Sequence, residues 1–288
     1  MHVTAYKVGV MPKTAILFPG QGSQTPDMRD TVAAARPDLL QLATEVVGED
    51  PFARVDDGTQ FAQPAIFCAS LSGWEALGRP DGDLMAGHSL GELAALVAGG
   101  SLRERDGLEL VALRGRLMQD AGEQAGDGGM LAVLGAGAAE HAAELAQAHG
   151  LAVANDNSPQ QVVLSGARSA LPGAAAAAKE LGLRAIDLPV TGAFHSPMMA
   201  SAVPELQAAL ERVSVQAPRV TVLSAVTAEP FDDVRRRLAQ ALTMPVRWRE
   251  TMLALHALGA ERFVEVGPGR VLSGLAKRTL RDVELVGA

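Results

Sequence analysis

The segment LMAGHSLGELAALVAGG, from Leu84 to Gly100, has a serine between two glycines at the boundary of two structural elements. The residues up to Gly87 are apolar and predict a short buried strand. The alanine- and leucine-rich residues after Gly91 predict a buried helix. Between them, GHSLG matches the G-x-S-x-G nucleophile elbow, a sharp strand–turn–helix connection that exposes the serine. The pattern predicts that Ser89 is a catalytic nucleophile on an α/β fold.

Small residues are needed beside this serine because the strand and the helix approach each other closely in such a turn. Gly87 and Gly91 meet that need. The following helix directs free backbone N–H groups, and the positive end of its dipole, towards charge that develops near the serine. The backbone N–H of Leu90 is therefore predicted to be an oxyanion-hole donor.

A serine nucleophile needs a general base, and the chain has six histidines. His88 adjoins Ser89, but neighbours on a sharp turn project in different directions, so His88 is predicted to be structural. His195, in TGAFHSPMM, lies where the chain returns from an inserted segment to the main fold. Ligands bind preferentially in crevices between domains. His195 is therefore the predicted base.

Short apolar strands alternate with longer helical segments, which predicts an α/β fold with a mostly parallel sheet. Residues 128–192 follow a different order, strand–helix–strand–strand–helix–strand. That order predicts a small ferredoxin-like (βαββαβ) subdomain inserted in the larger domain. The predicted larger domain therefore comprises residues 13–127 and 193–288, and residues 1–12 are predicted to be an N-terminal tail.

Bulk composition argues against several classes of function. The formal net charge of -8 argues against nucleic-acid binding, which needs a basic surface. No apolar segment is long enough to span a membrane, and no polybasic anchor is present, so no membrane association is expected. A single cysteine, Cys68, leaves no intrachain disulfide, and the histidines lack the spacing of a zinc site. We expect a cytoplasmic protein without a bound metal.

Seven motifs occur in the order and spacing of one known family. They are FPGQGSQ, GHSLGE, RG-x-x-MQ, NDNSPQQVVLSG, AFHS, PVRW and EVGPGRVLSGLAKR. On these motifs, the chain resembles the malonyl-CoA:acyl carrier protein transacylases of fatty acid and polyketide synthesis over residues 14–281. The resemblance implies an α/β-hydrolase-like core. It also implies transfer of a malonyl group from malonyl-CoA to the phosphopantetheine thiol of an acyl carrier protein, through a serine ester. We expect a monomer with no bound cofactor.

The resemblance also implies roles for individual residues. The backbone N–H of Gln21 would join that of Leu90 in the oxyanion hole. A main-chain carbonyl, expected at Arg247, would orient His195. Arg114 would bind the malonyl carboxylate, because a guanidinium fork donates two parallel hydrogen bonds to a carboxylate.

Further residues are implied to line the acyl pocket. Met118 lies on the helix face of the arginine, four residues later. Phe194 belongs to a motif similar to that of malonyl-selecting relatives and would crowd an α-methyl group. Asn155 and Asn157 match asparagines near the pocket of relatives, but they fit equally well as turn residues before the following proline. Gln63 is a further candidate for the pocket lining.

Alternatives stay open at this point. A thioesterase or esterase would use the same elbow, although a hydrolase of neutral acyl groups has no use for a buried arginine. The chain would also fit a trans-acting acyltransferase of a polyketide synthase, or the acyltransferase of a malonate decarboxylase. Relatives of the last kind tend to replace the glutamate present here as Glu92.

Overall fold

The structure, a computed structural model, describes residues 12–80 and 82–287. The predicted tail, residues 1–12, lies outside this part of the chain except for its last residue. Within the described residues, no helix is long and apolar enough to cross a membrane.

The strands of the described residues form two sheets. In chain order they are β1 (Lys13–Phe18), β2 (Leu84–Gly87), β3 (Gly128–Leu134), β4 (Ala152–Ser158), β5 (Gln161–Ala167), β6 (Arg184–Asp187), β7 (Thr221–Ser224), β8 (Glu229–Pro230), β9 (Ala260–Glu265) and β10 (Glu284–Gly287). The first sheet, sheet A, has the order β10-β9-β1-β2-β7-β8, and the second, sheet B, has the order β4-β5-β3-β6.

The α-helices connect and cover these strands. In chain order they are α1 (Met28–Ala35), α2 (Pro37–Val47), α3 (Thr59–Ala76), α4 (Gly91–Ala98), α5 (Glu104–Ala125), α6 (Ala138–Ala148), α7 (Leu171–Glu180), α8 (Val203–Leu210), α9 (Val234–Gln240), α10 (Trp248–Ala257) and α11 (Val271–Thr279).

Sheet A is parallel except for β8, which confirms the predicted α/β fold with a mostly parallel sheet. Alternate residues of β1 face its two sides. Ile16 and Phe18 pack in a core with α3, α4 and α5, whereas Ala15 and Leu17 pack with α10 and α11. Because helices cover both faces, the central strands are apolar at nearly every position.

Sheet B is antiparallel and has the strand order of a ferredoxin-like βαββαβ unit. One face, with Leu131 and Leu164, packs against α6 and α7. The opposite face, with Met130 and Val163, packs in the larger core. The domain boundaries at residues 127/128 and 192/193 stay a prediction.

Val246 joins the two sheets through its backbone. Its N–H donates to the carbonyl of Ala154 in β4 at 2.8 Å, and its carbonyl accepts from the N–H of Asp156 at 2.9 Å. The next residue, Arg247, donates its N–H to Ala225 directly after β7 at 2.7 Å. One short segment therefore fixes β4 of sheet B relative to sheet A.

One element has no counterpart in the sequence-based expectation, the edge strand β10. Its residues are exposed or half-buried at the sheet edge, so they lack the continuous apolar character of the central strands.

The two glycines of GHSLG occupy positions where a side chain has no room. A Cβ on Gly87 would lie 1.9 Å from the backbone carbon of Gly91, and a Cβ on Gly91 would lie 2.2 Å from the carbonyl oxygen of Phe18. Both distances are far below any contact that real Cβ atoms make. The sharp connection between β2 and α4 therefore depends on these two residues.

We predict that Gly87→Ala lowers the free energy of unfolding by about 3 kcal/mol or more, because the new methyl group has no space. The matched control is Gly274→Ala in α11, where a Cβ would meet nothing within 4 Å. This control should be neutral or slightly stabilising, since alanine favours helix. Thermal and urea denaturation of both variants measure the difference. Equal melting temperatures would contradict the proposed role of Gly87.

Candidate active site

Ser89 lies between β2 and α4 with a backbone φ of 54°, in the left-handed region. A non-glycine residue in this region costs about 1–3 kcal/mol and persists only where the surrounding structure enforces it. Here the close contact of Gly87 with Gly91 enforces the turn. The serine is thus fixed at the carboxyl end of a central strand, as the elbow pattern predicts.

His195 contacts this serine directly. Its Nε2 lies 2.9 Å from the Oγ of Ser89, and its Nδ1 lies 2.8 Å from the carbonyl oxygen of Ala241. A carbonyl only accepts hydrogen bonds, so Nδ1 carries the proton and Nε2 is free to accept the serine proton. The two residues that the sequence singled out as nucleophile and base are therefore a hydrogen-bonded pair.

The carbonyl that orients His195 belongs to Ala241 and not to Arg247, so that prediction was wrong. Arg247 directly precedes α10, and its carbonyl accepts hydrogen bonds from the N–H and the hydroxyl of Thr251, both at 2.9 Å. The first turn of α10 therefore occupies this acceptor. Ala241 follows the last residue of α9, where helix carbonyls lack partners within the helix and remain available.

Burial keeps His195 neutral. The side chain is 5% exposed, and this burial lowers the pKa of His195 to about 3, assisted by the nearby positive charge of Arg114. An imidazole with such a pKa is unprotonated at neutral pH. His195 can therefore act as a base without first losing a proton to solvent.

Arg114 on α5 is a buried cation beside the serine. It is 3% exposed, donates from Nη1 to Oε1 of Gln63 at 2.6 Å, and donates from Nη2 to Oγ of Ser89 at 3.0 Å. Within residues 12–80 and 82–287 it has no salt-bridge partner. Burial lowers the pKa of Arg114 to about 10, while Glu92 opposes the shift. The guanidinium therefore stays charged and can bind a carboxylate.

Two backbone N–H groups without a partner in the described residues belong to the lining of the serine's cavity. Leu90 follows the serine at the start of α4, and Gln21 lies in the loop after β1. Both line the same cavity as Ser89. In the part of the chain that the structure describes, neither N–H has a hydrogen-bond partner. Free N–H groups at such a position fit an oxyanion hole.

The serine and the histidine open into a cavity of about 360 Å³ between the two sheets. Met118 and Phe194, which the resemblance implies as pocket residues, lie in its lining. The sequence did not identify the apolar wall that covers the cavity. This wall consists of Met130, Val163, Leu188, Pro189, Val190, Val271, Leu272 and Leu275. These residues have no signal of their own, because apolar residues of β3, β5, α11 and the segment after β6 look like ordinary packing positions in the sequence.

Asn155 and Asn157 belong to β4 rather than to a turn, and both line the cavity. The side chain of Asn157 lies 2.8 Å from Nε2 of His88. The His88 ring also packs edge-on against Trp248, with the ring centres 5.4 Å apart. These contacts support a structural role for His88, while the hydrogen-bond partners of the serine hydroxyl in the described residues are His195 and Arg114.

Glu92 is a buried carboxyl group one helical turn after the serine. Its Oε1 accepts hydrogen bonds from the N–H of Ala225 at 2.7 Å and the hydroxyl of Ser224 at 3.1 Å. Burial raises the pKa of Glu92 to about 7. These hydrogen bonds connect the first turn of α4 to the end of β7, and this connection stabilises the elbow.

Comparison with known proteins places this geometry in one family. Residues 16–287 match the family model of the acyl transferase domain. The malonyl CoA-acyl carrier protein transacylase of Haemophilus influenzae is 37% identical over 297 residues, which cover 96% of this chain and 95% of that protein. The polyketide biosynthesis protein ThaF of Burkholderia thailandensis is 40% identical over 92% of this chain. This chain spans 24% of ThaF.

Solved structures agree with this assignment. A structure of PlMCAT with AntF is described as a type II PKS acyl-carrier protein in complex with its malonyl-transacylase. The matched chain is 34% identical to this one and superimposes with a TM-score of 0.86 over 96% of both chains. The fold and the order of elements are therefore those of a known group of structures.

The depressed pKa of His195 predicts an unusual pH dependence. The rate of Ser89 labelling by a fluorophosphonate should change less than about twofold between about pH 7.5 and about pH 5.5, because the base stays neutral. With a base of the ordinary histidine pKa of 6.5, the labelling rate would fall about tenfold over this range, since only the neutral form accepts a proton. Mass spectrometry of the labelled protein measures the rate.

Two variants complete this experiment. His195→Ala should abolish rapid labelling at every pH. Glu92→Gln identifies any change centred near pH 7 that comes from Glu92, because it removes a carboxyl group whose pKa burial raises to about 7. A tenfold fall that persists in Glu92→Gln would show that the pKa of His195 is not depressed.

Proposed function

The chain belongs to the acyl transferase family, and we propose that it transfers a malonyl group from malonyl-CoA to the phosphopantetheine thiol of an acyl carrier protein. The observation that carries this proposal is Arg114, a buried cation without a salt-bridge partner in the described chain, 3.0 Å from the nucleophile oxygen. A malonyl group has a free carboxylate that would neutralise it. The names of the relatives support the same substrate and acceptor.

The first half-reaction uses the serine and the histidine. The Oγ of Ser89 attacks the thioester carbonyl carbon of malonyl-CoA while Nε2 of His195 takes the serine proton. The N–H groups of Gln21 and Leu90 stabilise the negative charge on the carbonyl oxygen. The carbon–sulfur bond then breaks, the CoA sulfur takes the proton from His195, and a malonyl-serine ester remains.

The second half-reaction runs through the same groups in reverse. The phosphopantetheine thiol of the carrier protein replaces CoA in the cavity and gives its proton to Nε2 of His195. Its sulfur attacks the ester carbonyl, and the Ser89 oxygen leaves and regains the proton. The chemistry needs no bound cofactor, because the thioester of malonyl-CoA supplies the activated acyl group.

Phe194 would favour malonyl over methylmalonyl groups. It is 6% exposed, lines the cavity, and lies next to His195 in the chain. A ring at this position would crowd an α-methyl group. One methyl group changes discrimination by only about 1–3 kcal/mol, so slow use of methylmalonyl-CoA is expected.

The proposed setting is the cytoplasm, where malonyl-CoA and carrier proteins of fatty acid or polyketide synthesis would meet the enzyme. We propose that the enzyme acts as a monomer, because one chain supplies every group named in the two half-reactions. Light scattering of the purified protein tests this: a dimer mass at working concentration would overturn it.

The first test is the intact mass of the protein after mixing with malonyl-CoA without an acceptor. We expect a stable malonyl adduct that Ser89→Ala does not form, because the ester needs the serine oxygen. The adduct should disappear when an acyl carrier protein with its phosphopantetheine arm is added. Release of free malonate without a lasting adduct would instead indicate a thioesterase.

Arg114→Lys should lower kcat/KM for malonyl-CoA by about a hundredfold or more. Lysine carries the charge but cannot donate two parallel hydrogen bonds to a carboxylate. The matched control is Arg116→Lys on the same helix. Arg116 is exposed, contacts Asp120 and Glu205, and should tolerate lysine within about twofold. Equal effects of the two substitutions on kcat/KM would show that Arg114 does not bind the malonyl carboxylate.

A further inference from the structure

Thr59, the first residue of α3, connects two parts of the active site that are otherwise separate. Its hydroxyl donates to Oε1 of Gln21 at 2.7 Å and accepts from Nε2 of Gln63 at 2.9 Å. Oε1 of Gln63 accepts from Arg114 at 2.6 Å, and Arg114 donates to Ser89. A continuous series of side-chain hydrogen bonds therefore runs from the oxyanion loop to the carboxylate-binding arginine.

Arg114 fixes the direction of every hydrogen bond in this series. A guanidinium group only donates, so the oxygen of the Gln63 amide must face it and the nitrogen must face Thr59. The hydroxyl of Thr59 therefore accepts from Gln63, and its single proton is left for Gln21. The side-chain oxygen of Gln21 accepts this proton and ends the series. The orientation of the Gln63 amide is therefore fixed by Arg114 alone.

These contacts are not those of an ordinary threonine at a helix start. Such a residue commonly caps the helix by accepting a hydrogen bond from a backbone N–H of the first turn. In α3 the capping position is Gly58, which has no side chain to cap the helix. Thr59 is 2% exposed, and Gln63 lies one turn later on the same face. Its hydroxyl therefore serves the site rather than the helix end.

The backbone of Thr59 is also fixed. Its N–H donates to Oε1 of Gln119 on α5 at 3.2 Å, and its carbonyl oxygen would lie 2.8 Å from a Cβ on Gly115. The start of α3 thus packs tightly against the helix that carries Arg114. A hydroxyl on such a rigid support can hold the two glutamine side chains in one arrangement.

We propose that Thr59 is a positioning residue that couples the Gln21 oxyanion loop to the acyl-carboxylate site at Arg114. The proposal rests on the proposed malonyl transfer for its carboxylate end only. Loss of the hydroxyl frees the side chains of Gln21 and Gln63 together. It therefore weakens oxyanion stabilisation for any acylating reagent, and it weakens carboxylate binding in addition for a malonyl donor.

The test compares Thr59→Val, which has nearly the same shape without the hydroxyl, with Thr59→Ser, which restores it. The control is Ser72→Ala, a buried hydroxyl of the same helix that has no hydrogen-bond partner in the described residues. Two rates are measured by mass spectrometry: labelling of Ser89 by a fluorophosphonate and malonylation of Ser89 by malonyl-CoA. Circular dichroism checks that each variant is folded.

Thr59→Val should slow fluorophosphonate labelling by about fivefold and malonylation by about fiftyfold. Both rates of Thr59→Ser and of Ser72→Ala should stay within about threefold of the parent rates. Adding Gln21→Ala, which keeps the backbone N–H, to Thr59→Val should slow labelling no further, since both changes remove the same hydrogen bond. Full additivity of the two changes, or a Thr59→Val variant with unchanged rates, would overturn the proposal.

Failure of this inference and failure of the proposed function give different results. A parent protein that is labelled by the fluorophosphonate but never malonylated would exclude malonyl transfer. The labelling rates of Thr59→Val and Thr59→Ser would still test the link to Gln21 in that case. If Thr59→Val fails to fold, the folded Thr59→Ser variant decides. Labelling at less than about a tenth of the parent rate would overturn the role of the hydroxyl. A parent-like labelling rate would support it.

Discussion

The close approach of Gly87 and Gly91 fixes the position of the nucleophile, around which the other reactive groups lie. It forces the chain to reverse within a few residues and places Ser89 in a strained conformation above the central strand. The same turn starts α4, which presents the Leu90 N–H and carries Glu92 one turn later. The geometry of the nucleophile thus requires the absence of two side chains, and the hydrogen bonds of Glu92 to Ser224 and Ala225 stabilise the turn.

Around this turn, burial sets the charge state of the groups. His195 stays neutral because solvent is excluded from it, and Arg114 stays charged because its intrinsic pKa is so high that burial lowers it only to about 10. A neutral base and a permanent cation therefore share one small cavity. The arrangement suits an anionic acyl group. The cation balances the charge of that group, and the base accepts and returns the proton of the nucleophile.

The sequence predicted the parts of the site that depend on local pattern. Ser89 and Leu90 follow from the elbow, and the βαββαβ order of sheet B follows from element periodicity. The acceptor for His195 was misassigned, because whether a carbonyl is free depends on where a helix begins, and helix boundaries are the least predictable feature of a sequence. Thr59 gave no signal, since its partners come from distant segments and only the packed structure brings them together.

The reactive pair also depends on segments that are far apart in the chain. Ser89 precedes His195 by 106 residues, and Ala241, which holds the imidazole in its tautomer, follows by another 46. A ribosome-bound or truncated chain that ends before Ala241 has a nucleophile with no oriented base. Ser89 therefore has an oriented base only once the three segments that carry Ser89, His195 and Ala241 have packed together.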